Sequence, residues 1–269
     1  MGCVTDGPAR QIGWWAAPRS AWVAGMAGFE DPAFYGDRWA EVYDERHEYL
    51  DPAPAVEFLA GLAGAGPVLE LAIGTGRVAL PLAGRGIAVE GLDASEAMVA
   101  RLRAKPGGAS IPVTIGDMAD GPASGPFRLV YLVFNSLFGL LSQARQADCF
   151  RNAARVLDAG GAFVLECFVL DVSRSGRGQQ VWVRDVAEDS VTVGLGCYDP
   201  AAQRITTQVV TLGRPGAALW PVALRYCWPA ELDLMAGQAG LRRRERYGDW
   251  DRRPFGSGSA KHISVYQRD

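Results

Sequence analysis

Apolar runs and helical patterns alternate through the middle of the chain. Five apolar runs predict strands at Val68–Ile73, Ile87–Leu92, Ile111–Ile115, Phe127–Phe134 and Ala162–Val169. Between them apolar residues recur at helical spacing, as in Gln143–Leu157, and Gly160-Gly161 is expected to end that helix. The run Phe127–Phe134 is apolar at almost every position, which is typical of a strand buried on both faces. Strands that alternate with helices predict a parallel sheet covered by helices on both sides.

Helical patterns also lie before and beside these strands. Apolar and aromatic residues recur at helical spacing through Phe34–Leu50, where we interpret His47 as a residue of the helix face. A second helix is predicted at Ala55–Leu62, after two prolines that cannot lie inside a helix. Ser95 is expected to cap the helix that carries Met98, because a serine oxygen can accept the free amide hydrogens of a first turn.

Residues 1–30 form an N-terminal arm in front of these elements. The arm holds Trp14, Trp15 and Trp22, but it lacks the basic start and the compact apolar core of a signal peptide. It is either a loose, disordered arm, the product of a misassigned start codon, or a lid over a pocket. The sequence leaves these alternatives open.

Beyond Val169 the helices disappear from the pattern. Four strand-like runs follow one another at Val181–Val186, Ser190–Leu195, Arg204–Leu212 and Ala223–Trp228, with turn residues at Asp199-Pro200 and Gly213–Gly216. Because no helical pattern separates them, they predict an antiparallel insertion over residues 176–227. We expect this insertion to shape a substrate site or a contact between two copies of the chain.

The last part of the chain returns to the first domain. A helix is predicted at Pro229–Ala239, followed by strands at Arg243–Tyr247 and Ile263–Gln267. Only a loop joins these two strands, so they must pair antiparallel, since a parallel pair needs a longer crossover. Residues 31–175 and 228–269 are therefore predicted to form one α/β domain.

Composition and charge exclude several classes of protein. The 269 residues carry 27 Lys and Arg against 30 Asp and Glu, a formal charge of −3, which argues against a nucleic-acid partner. No apolar run is long enough to span a membrane. The five cysteines are widely spaced without a C-x-x-C pair, and there are only two histidines, so we expect free thiols, no metal site and a cytoplasmic protein.

The first strand ends in a glycine-rich turn that two kinds of ligand could use. Gly74-x-Gly76-x-x-Ala79 satisfies the dinucleotide fingerprint, which would make the chain an NAD(P)-dependent oxidoreductase. Glu70 lies four residues before Gly74, where its charge would repel a pyrophosphate and would suit an ammonium or a sulfonium. The oxidoreductase therefore stays as the alternative to a cationic ligand.

Two further carboxylates follow at the ends of the next strands. Asp93 lies 19 residues after Gly74, where it can accept hydrogen bonds from both ribose hydroxyls. Asp117 closes the third strand, where it can accept a hydrogen bond from an adenine amino group with Met118 against the ring. Carboxylates at three successive strand ends describe a cationic nucleoside, and S-adenosylmethionine is such a molecule.

The motifs at these strand ends resemble a known family as a set. E-L-A-I-G-T-G-R, V-E-G-L-D-A-S, G-D-M and F-R-L-V-Y-L-V-F-N-S-L-F resemble the successive motifs of class I S-adenosylmethionine-dependent methyltransferases over about residues 34–170. The resemblance implies a Rossmann-like α/β fold with a seven-stranded, mostly parallel sheet whose last strand is antiparallel. The antiparallel insertion then lies between strands five and six of that sheet.

The resemblance also implies a set of cofactor-binding residues. Glu70, Gly74 and Gly76 would border the methionine part, Asp93 the ribose, Asp117 and Met118 the adenine. The full expected set is Tyr43, Glu70, Ala72, Gly74, Gly76, Asp93, Ala94, Met98, Asp117, Met118 and Asn135. In it Asn135 would lie near the sulfonium, and the ring of Tyr43 would suit that cation. One departure is Ala72, which replaces the first glycine of the usual pattern.

The sequence says less about the molecule that accepts the methyl group than about the cofactor. The stretch Asn135–Phe138 lacks the proline pair typical of enzymes that methylate base amines or protein glutamine, and it resembles small-molecule enzymes of the glycine and amino-sugar N-methyltransferase kind. His262 and Glu166 are expected to face the pocket from the last and the fifth strand, and with Tyr43 they are the candidate catalytic residues. The chain is predicted to methylate a nitrogen or oxygen of a small molecule, although a non-catalytic S-adenosylmethionine-binding subunit would need the same pocket.

Overall fold

Eleven strands and seven α-helices make up the part of the chain that the structure, a computed structural model, describes: residues 28–121, 123–171, 178–214 and 216–268. The predicted arm lies outside these residues up to position 27. The strands β1–β11 are Val68–Leu71, Val89–Asp93, Val113–Ile115, Phe127–Leu132, Leu157–Phe168, Gln179–Val186, Ser190–Asp199, Arg204–Gly213, Gly216–Arg225, Leu241–Tyr247 and Lys261–Arg268. The helices α1–α7 are Phe34–Trp39, Tyr43–Arg46, Ala53–Ala63, Ala79–Gly84, Glu96–Arg103, Gln143–Val156 and Pro229–Gln238.

Seven strands form the main sheet in the order β10-β11-β5-β4-β1-β2-β3. Strands β1 to β5 are parallel, and β11 runs antiparallel to both of its neighbours. The predicted fold, with its last strand antiparallel, is therefore confirmed. The chain proceeds from β1 toward one edge through β2 and β3, and then toward the other edge through β4 and β5. Ligands of open α/β sheets bind where the strand order reverses in this way.

The centre of the sheet is apolar on both of its faces. Leu129, Val130, Tyr131 and Leu132 of β4 are all buried, which confirms the prediction from their unbroken apolar run. Ser95 caps α5 as predicted, since its Oγ accepts the Met98 amide hydrogen at 3.2 Å. In the described ranges, no helix is both long and apolar enough for a membrane crossing, and no cluster of metal-ligating side chains occurs.

The inserted strands form a separate antiparallel sheet in the order β6-β7-β8-β9, which confirms the predicted insertion after β5. The fourth strand was predicted at Ala223–Trp228, and this placement is wrong: the strand begins at Gly216, directly after a tight turn. Pro221 lies inside it and lacks an amide hydrogen. Since β9 is an edge strand, no ladder partner is lost on its open side.

The predicted stop at Gly160-Gly161 is also wrong. Helix α6 ends at Val156, and β5 starts at once with Leu157, so both glycines lie within the strand. Gly160 has a φ of 71°, and the pairing of β5 with β4 shifts register beside it. The two glycines therefore form an irregularity within a strand. Glycine is common at such irregularities as well as at the ends of helices.

The segment predicted as helical over Phe34–Leu50 forms two short helices that dock on the main domain through carboxylates. On α1, Asp37 accepts a hydrogen bond of 2.6 Å from Ser95 Oγ. On α2, Asp44 accepts one of 2.6 Å from Thr75 Oγ1 and pairs with Lys105 at 2.7 Å. The two helices are thereby held over the carboxyl ends of the strands.

Candidate active site

A cavity of about 380 Å³ opens at the carboxyl ends of the parallel strands. Three parts of the chain contribute to its wall: the loops after β1 to β4, the segment containing α1 and α2, and the inserted sheet. From the loops come Ala72, Gly74, Asp93, Ala94, Met98, Asp117, Met118 and Asn135. From the other two parts come, among others, Tyr35, Trp39, Tyr43, His47, Trp182, Arg184, Thr207, Val209 and Val222.

One end of the cavity carries two carboxylates. Asp93 is 8% exposed and accepts the amide hydrogens of Gly74 at 2.7 Å and Ser95 at 2.8 Å. Its burial raises the pKa of the carboxyl group, and the hydrogen bonds oppose that shift. Asp117 accepts the Ala119 amide hydrogen at 2.8 Å and pairs with Arg145 at 2.7 Å. Both side chains are therefore held in place without a ligand.

The glycine-rich turn separates residues on the cavity wall from residues behind it. Ala72 and Gly74 line the cavity with φ values of 54° and 56°. This is the left-handed region, in which alanine is disfavoured by roughly 1 kcal/mol relative to glycine. Gly76 does not reach the wall: a Cβ there would lie 2.3 Å from Leu102 Cδ1, so this glycine allows α5 to pack against the turn.

Glu70 lies beneath the turn and does not line the cavity. Its side chain is in the core, 2% exposed, and Oε2 accepts a hydrogen bond of 2.8 Å from Tyr131 Oη. Burial raises its pKa to about 8, while the hydrogen bond and the charge of Arg77 act in the opposite direction. In this structure Glu70 joins β1 to β4 rather than facing a ligand.

The opposite end of the cavity is aromatic. Tyr35 stacks on Trp39 with ring centroids 5.4 Å apart, and Trp39 Nε1 donates to the Pro221 carbonyl of β9 at 3.3 Å. Arg46 lies over the ring of Trp220, 3.6 Å from its centroid. The N-terminal helices and the inserted sheet therefore close this end together. Burial raises the pKa of Tyr43 to about 12, so its hydroxyl group is neutral at pH 7.

The structure does not bring His262 to the cavity wall. The side chain is buried on β11, where Nδ1 lies 2.9 Å from Ser264 Oγ, and Nε2 meets no hydrogen-bond partner in the described part of the chain. Burial lowers the pKa of the ring to about 3. His262 is therefore placed as a neutral core residue, without access to a reacting group.

Replacing His262 with phenylalanine is expected to remove a source of acid sensitivity. Between pH 6.5 and about pH 3 the unfolded chain binds a proton on this ring and the native chain does not, so stability falls as the pH falls. By about pH 4.5, two units below the pKa of the ring in the unfolded chain, the loss is about 2.7 kcal/mol, since each pH unit in this range contributes about 1.36 kcal/mol.

The measurement is the free energy of unfolding of both proteins in urea at pH 7 and pH 4.5. Glu70 has the opposite dependence, because its raised pKa favours the native state at acid pH, but it contributes equally to both proteins and cancels in the difference. A wild type and a His262→Phe variant with parallel pH dependence would contradict the burial of a neutral ring.

Glu166 is saturated by donors from three sides. Oε2 accepts the Phe134 amide hydrogen at 2.8 Å, and Oε1 accepts Trp250 Nε1 at 3.1 Å and Lys261 Nζ at 3.0 Å. Phe134 and Asn135 have φ values of 55° and 67°, in the left-handed region, which is unfavourable for phenylalanine and which asparagine tolerates better. Glu166 thus holds this strained turn, at the junction between the main cavity and a second one lined by the residues around Lys261.

The side chain of Asn135 is also held in place by a hydrogen bond. Its Oδ1 accepts the Phe168 amide hydrogen at 2.6 Å, and the residue lines the cavity. The cavity residues that were not among the candidates include Arg184 of β6 and also His47, which was interpreted as a helix-face residue. The spacing of His47 four residues after Tyr43 was the one available signal, because this spacing places both on the same side of a helix.

Comparisons with known proteins agree with this architecture. A family model described as a methyltransferase domain matches residues 68–161. The CcbJ methyltransferase from Streptomyces caelestis is 39% identical, with 87% of this chain and 97% of that chain covered and a TM-score of 0.80. The cypemycin N-terminal methyltransferase of a Streptomyces species is 26% identical over 244 residues, covering 88% of this chain and 99% of that protein.

A third relative is similar in fold. The S-adenosylmethionine-bound structure of CalS10, an amino pentose methyltransferase from Micromonospora echinaspora involved in calicheamicin biosynthesis, has a TM-score of 0.63. It is 20% identical and covers 85% of this chain and 97% of that chain. The three relatives cover 85–88% of this chain, so the similarity extends well beyond the strand–turn–helix unit of the glycine motif.

Proposed function

Because the chain belongs to the class I S-adenosylmethionine-dependent methyltransferases that act on small molecules, we propose that it methylates an amine nitrogen of a natural product or its precursor. The observation that carries this proposal is the division of the cavity. One end presents carboxylates from the strand ends, and the other is an aromatic chamber closed by the inserted sheet. The first end fits a nucleoside cofactor, and the second fits an uncharged organic acceptor.

The residues at the first end have the chemistry that the cofactor needs. Asp93 is a buried carboxylate on the cavity wall that would accept hydrogen bonds from the ribose hydroxyls, while Asp117 and Met118 would border the adenine. The faces of Tyr43 and Phe134 are suited to a sulfonium. S-adenosylmethionine supplies an electrophilic methyl group there, and the protein contributes by holding the nucleophile in line with it.

The choice of nitrogen over oxygen rests on the acceptor end. A phenol or an alcohol needs a base to become nucleophilic, whereas a neutral amine brings its own lone pair. Among the described residues of this end the carboxylate is Asp31, which is exposed, and its Oδ1 already accepts the Ala33 amide hydrogen at 2.9 Å. Tyr35 and Tyr43 have raised pKa values and stay neutral, and burial lowers the pKa of His47, which makes its imidazole a weak base for a hydroxyl group.

The relatives support the same choice. The cypemycin enzyme acts on an N-terminus and CalS10 on an amino pentose, by their names. Both acceptors offer an amine. An amine of a small natural product is therefore the acceptor class that the cavity and the relatives jointly support.

The test has two stages. Thermal shift with S-adenosylhomocysteine, NAD and NADP is expected to give a response to the first alone, about 2.7 kcal/mol of stabilisation at 100 times its dissociation constant. Methyl transfer is then measured on benzylamine, L-prolinamide, D-glucosamine and trialanine, each paired with its hydroxyl analogue. Methylation of the hydroxyl compounds in preference to the amines would overturn the assignment to nitrogen.

A further inference from the structure

A hydrogen bond to the backbone determines which ring nitrogen of His47 carries the hydrogen. The residue follows α2, and its Nδ1 lies 2.8 Å from the carbonyl oxygen of Tyr43. A carbonyl oxygen can only accept, so Nδ1 carries the hydrogen and Nε2 keeps a lone pair. No described residue makes a hydrogen bond to Nε2. The ring therefore offers the cavity an acceptor whose tautomer is fixed by the backbone.

The surroundings of His47 keep this acceptor neutral. The residue is 8% exposed and forms part of the cavity wall, with the rings of Tyr43 at 4.4 Å, Phe134 at 5.2 Å and Trp39 at 5.9 Å. Burial lowers the pKa of the ring, although the hydrogen bond to Tyr43 acts against this shift.

Charged and titratable neighbours act on the ring from several elements. They are Arg184 of β6, Arg77 before α4, Arg46 of α2, and the hydroxyl groups of Tyr43 and Tyr49. The three guanidinium groups further lower the pKa of His47. The ring is therefore unprotonated at pH 7 and free to accept a proton.

We propose that His47 Nε2 accepts the proton that the acceptor amine releases when it is methylated. The reaction forms a bond between nitrogen and the methyl carbon and breaks the carbon–sulfur bond, whose electron pair stays on sulfur. As these bonds change, one N–H proton passes to Nε2 in the same transition state, and from there to water. This inference rests on the proposed function, because it takes the amine to lie at the aromatic end of the cavity.

Other groups on the described cavity wall do not fit this role. Asp93 and Asp117 lie at the carboxylate end and already accept backbone or arginine donors. The hydroxyl of Tyr43 has a pKa near 12 and is a donor at neutral pH. Glu166 accepts three hydrogen bonds behind the turn at Phe134. His47 combines a lone pair, a fixed tautomer and a place on the wall.

The tautomer and the protonation state of His47 can be measured without any methyl acceptor. The chain has two histidines, so a protein labelled with ¹⁵N-histidine gives two ring systems, and the variant His47→Asn identifies which one belongs to His47. We expect the Nδ1–H tautomer at pH 7 and no protonation until the pH is below 6.5. A hydrogen on Nε2, or an imidazolium at pH 7, would overturn the proposal.

Two variants separate proton transfer from positioning. His47→Asn retains a donor near the position of Nδ1 and removes Nε2. His47→Gln places an amide near Nε2 that can accept a hydrogen bond and cannot take a proton at neutral pH. With the amine of the panel that is turned over fastest, both variants are expected to lose about 100-fold in kcat. The KM of His47→Gln and the affinity of both for S-adenosylhomocysteine should stay within threefold of wild type.

The control is Glu48→Gln, an exposed neighbour outside the cavity wall, which should retain wild-type kcat. Recovery of kcat by His47→Gln would reduce His47 to a positioning residue and overturn the proposal. If wild type methylates only hydroxyl compounds, the proposed function fails. The same variants measured on those compounds then still decide whether Nε2 takes the proton.

Discussion

Replacing Arg225 with alanine is expected to lower the free energy of unfolding by about 2–4 kcal/mol, since it removes a buried guanidinium and leaves the half-buried Glu231 carboxylate without its charged partner. Arg225 ends β9 and is 6% exposed. Its guanidinium donates to Gln146 Oε1 of α6 at 2.6 Å and to Glu231 Oε1 of α7 at 2.7 Å. This one side chain thus ties the inserted sheet to two helices of the main domain.

The partners of Arg225 depend on it. Burial alone would raise the pKa of Glu231, but hydrogen bonds from Gln203 and Arg225 hold it below its usual value. Without the guanidinium, the Glu231 carboxylate keeps the amide donors of Gln203 and Gln143 but loses its charged partner, and the Gln146 amide oxygen loses a hydrogen bond of 2.6 Å. The cost is therefore larger than that of the contact itself.

The matched control is Arg85→Ala, which breaks an ion pair of 2.8 Å with Glu57 on the surface. Both side chains of that pair are largely exposed, so the expected loss is about 1 kcal/mol or less. Urea unfolding of wild type and the two variants gives the comparison. Equal losses for Arg225→Ala and Arg85→Ala would mean that the inserted sheet is not anchored through this network.

Replacing Asp93 with asparagine is expected to weaken the binding of S-adenosylhomocysteine by about 1–3 kcal/mol, or roughly 5- to 150-fold. The carboxylate can accept two hydroxyl hydrogens, whereas the amide has one accepting oxygen and presents hydrogens on its nitrogen. One oxygen also receives the Gly74 amide at 2.7 Å, so an amide nitrogen placed there would meet another donor and disturb the turn.

Titration calorimetry measures this loss, with Glu90→Gln as the control. Glu90 lies on the same strand, β2, with its side chain exposed on the other face, and its replacement should leave the affinity within twofold of wild type. An unchanged affinity for Asp93→Asn would refute the assignment of this carboxylate to the ribose. Loss of folding is checked by the unfolding transition of the variant without ligand.

Much of the main domain could be predicted from the sequence because the relevant signals are local. The run Phe127–Phe134 is apolar throughout, and a central strand of a covered sheet has no solvent-facing side. Asp93 and Asp117 follow directly after strands, so the parallel arrangement alone places them at one edge. The lack of a helical pattern between the last two strands likewise predicted that they pair antiparallel.

The failures have a common physical cause, since they depend on three-dimensional neighbours. Glycine pairs stop helices and interrupt strands alike, so Gly160-Gly161 was ambiguous until the pairing of β5 with β4 was known. Glu70 is close to the turn in sequence, yet its side chain lies beneath it, in contact with Tyr131. His47 gains its chemistry from Phe134 and Arg184, which are far away in the chain.

The inserted sheet gives this protein two walls that can change independently. Residues of β6, β8 and β9 form one side of the chamber that we propose for the acceptor, while the loops after β1 to β3 form the carboxylate end. Substitutions such as those at Thr207 or Val222 therefore alter which acceptors fit without touching Asp93. Arg225 must be retained during such changes, because it ties the inserted sheet to the main domain. In evolutionary terms, the acceptor range of the enzyme can diversify through one sheet while its methyl donor stays the same.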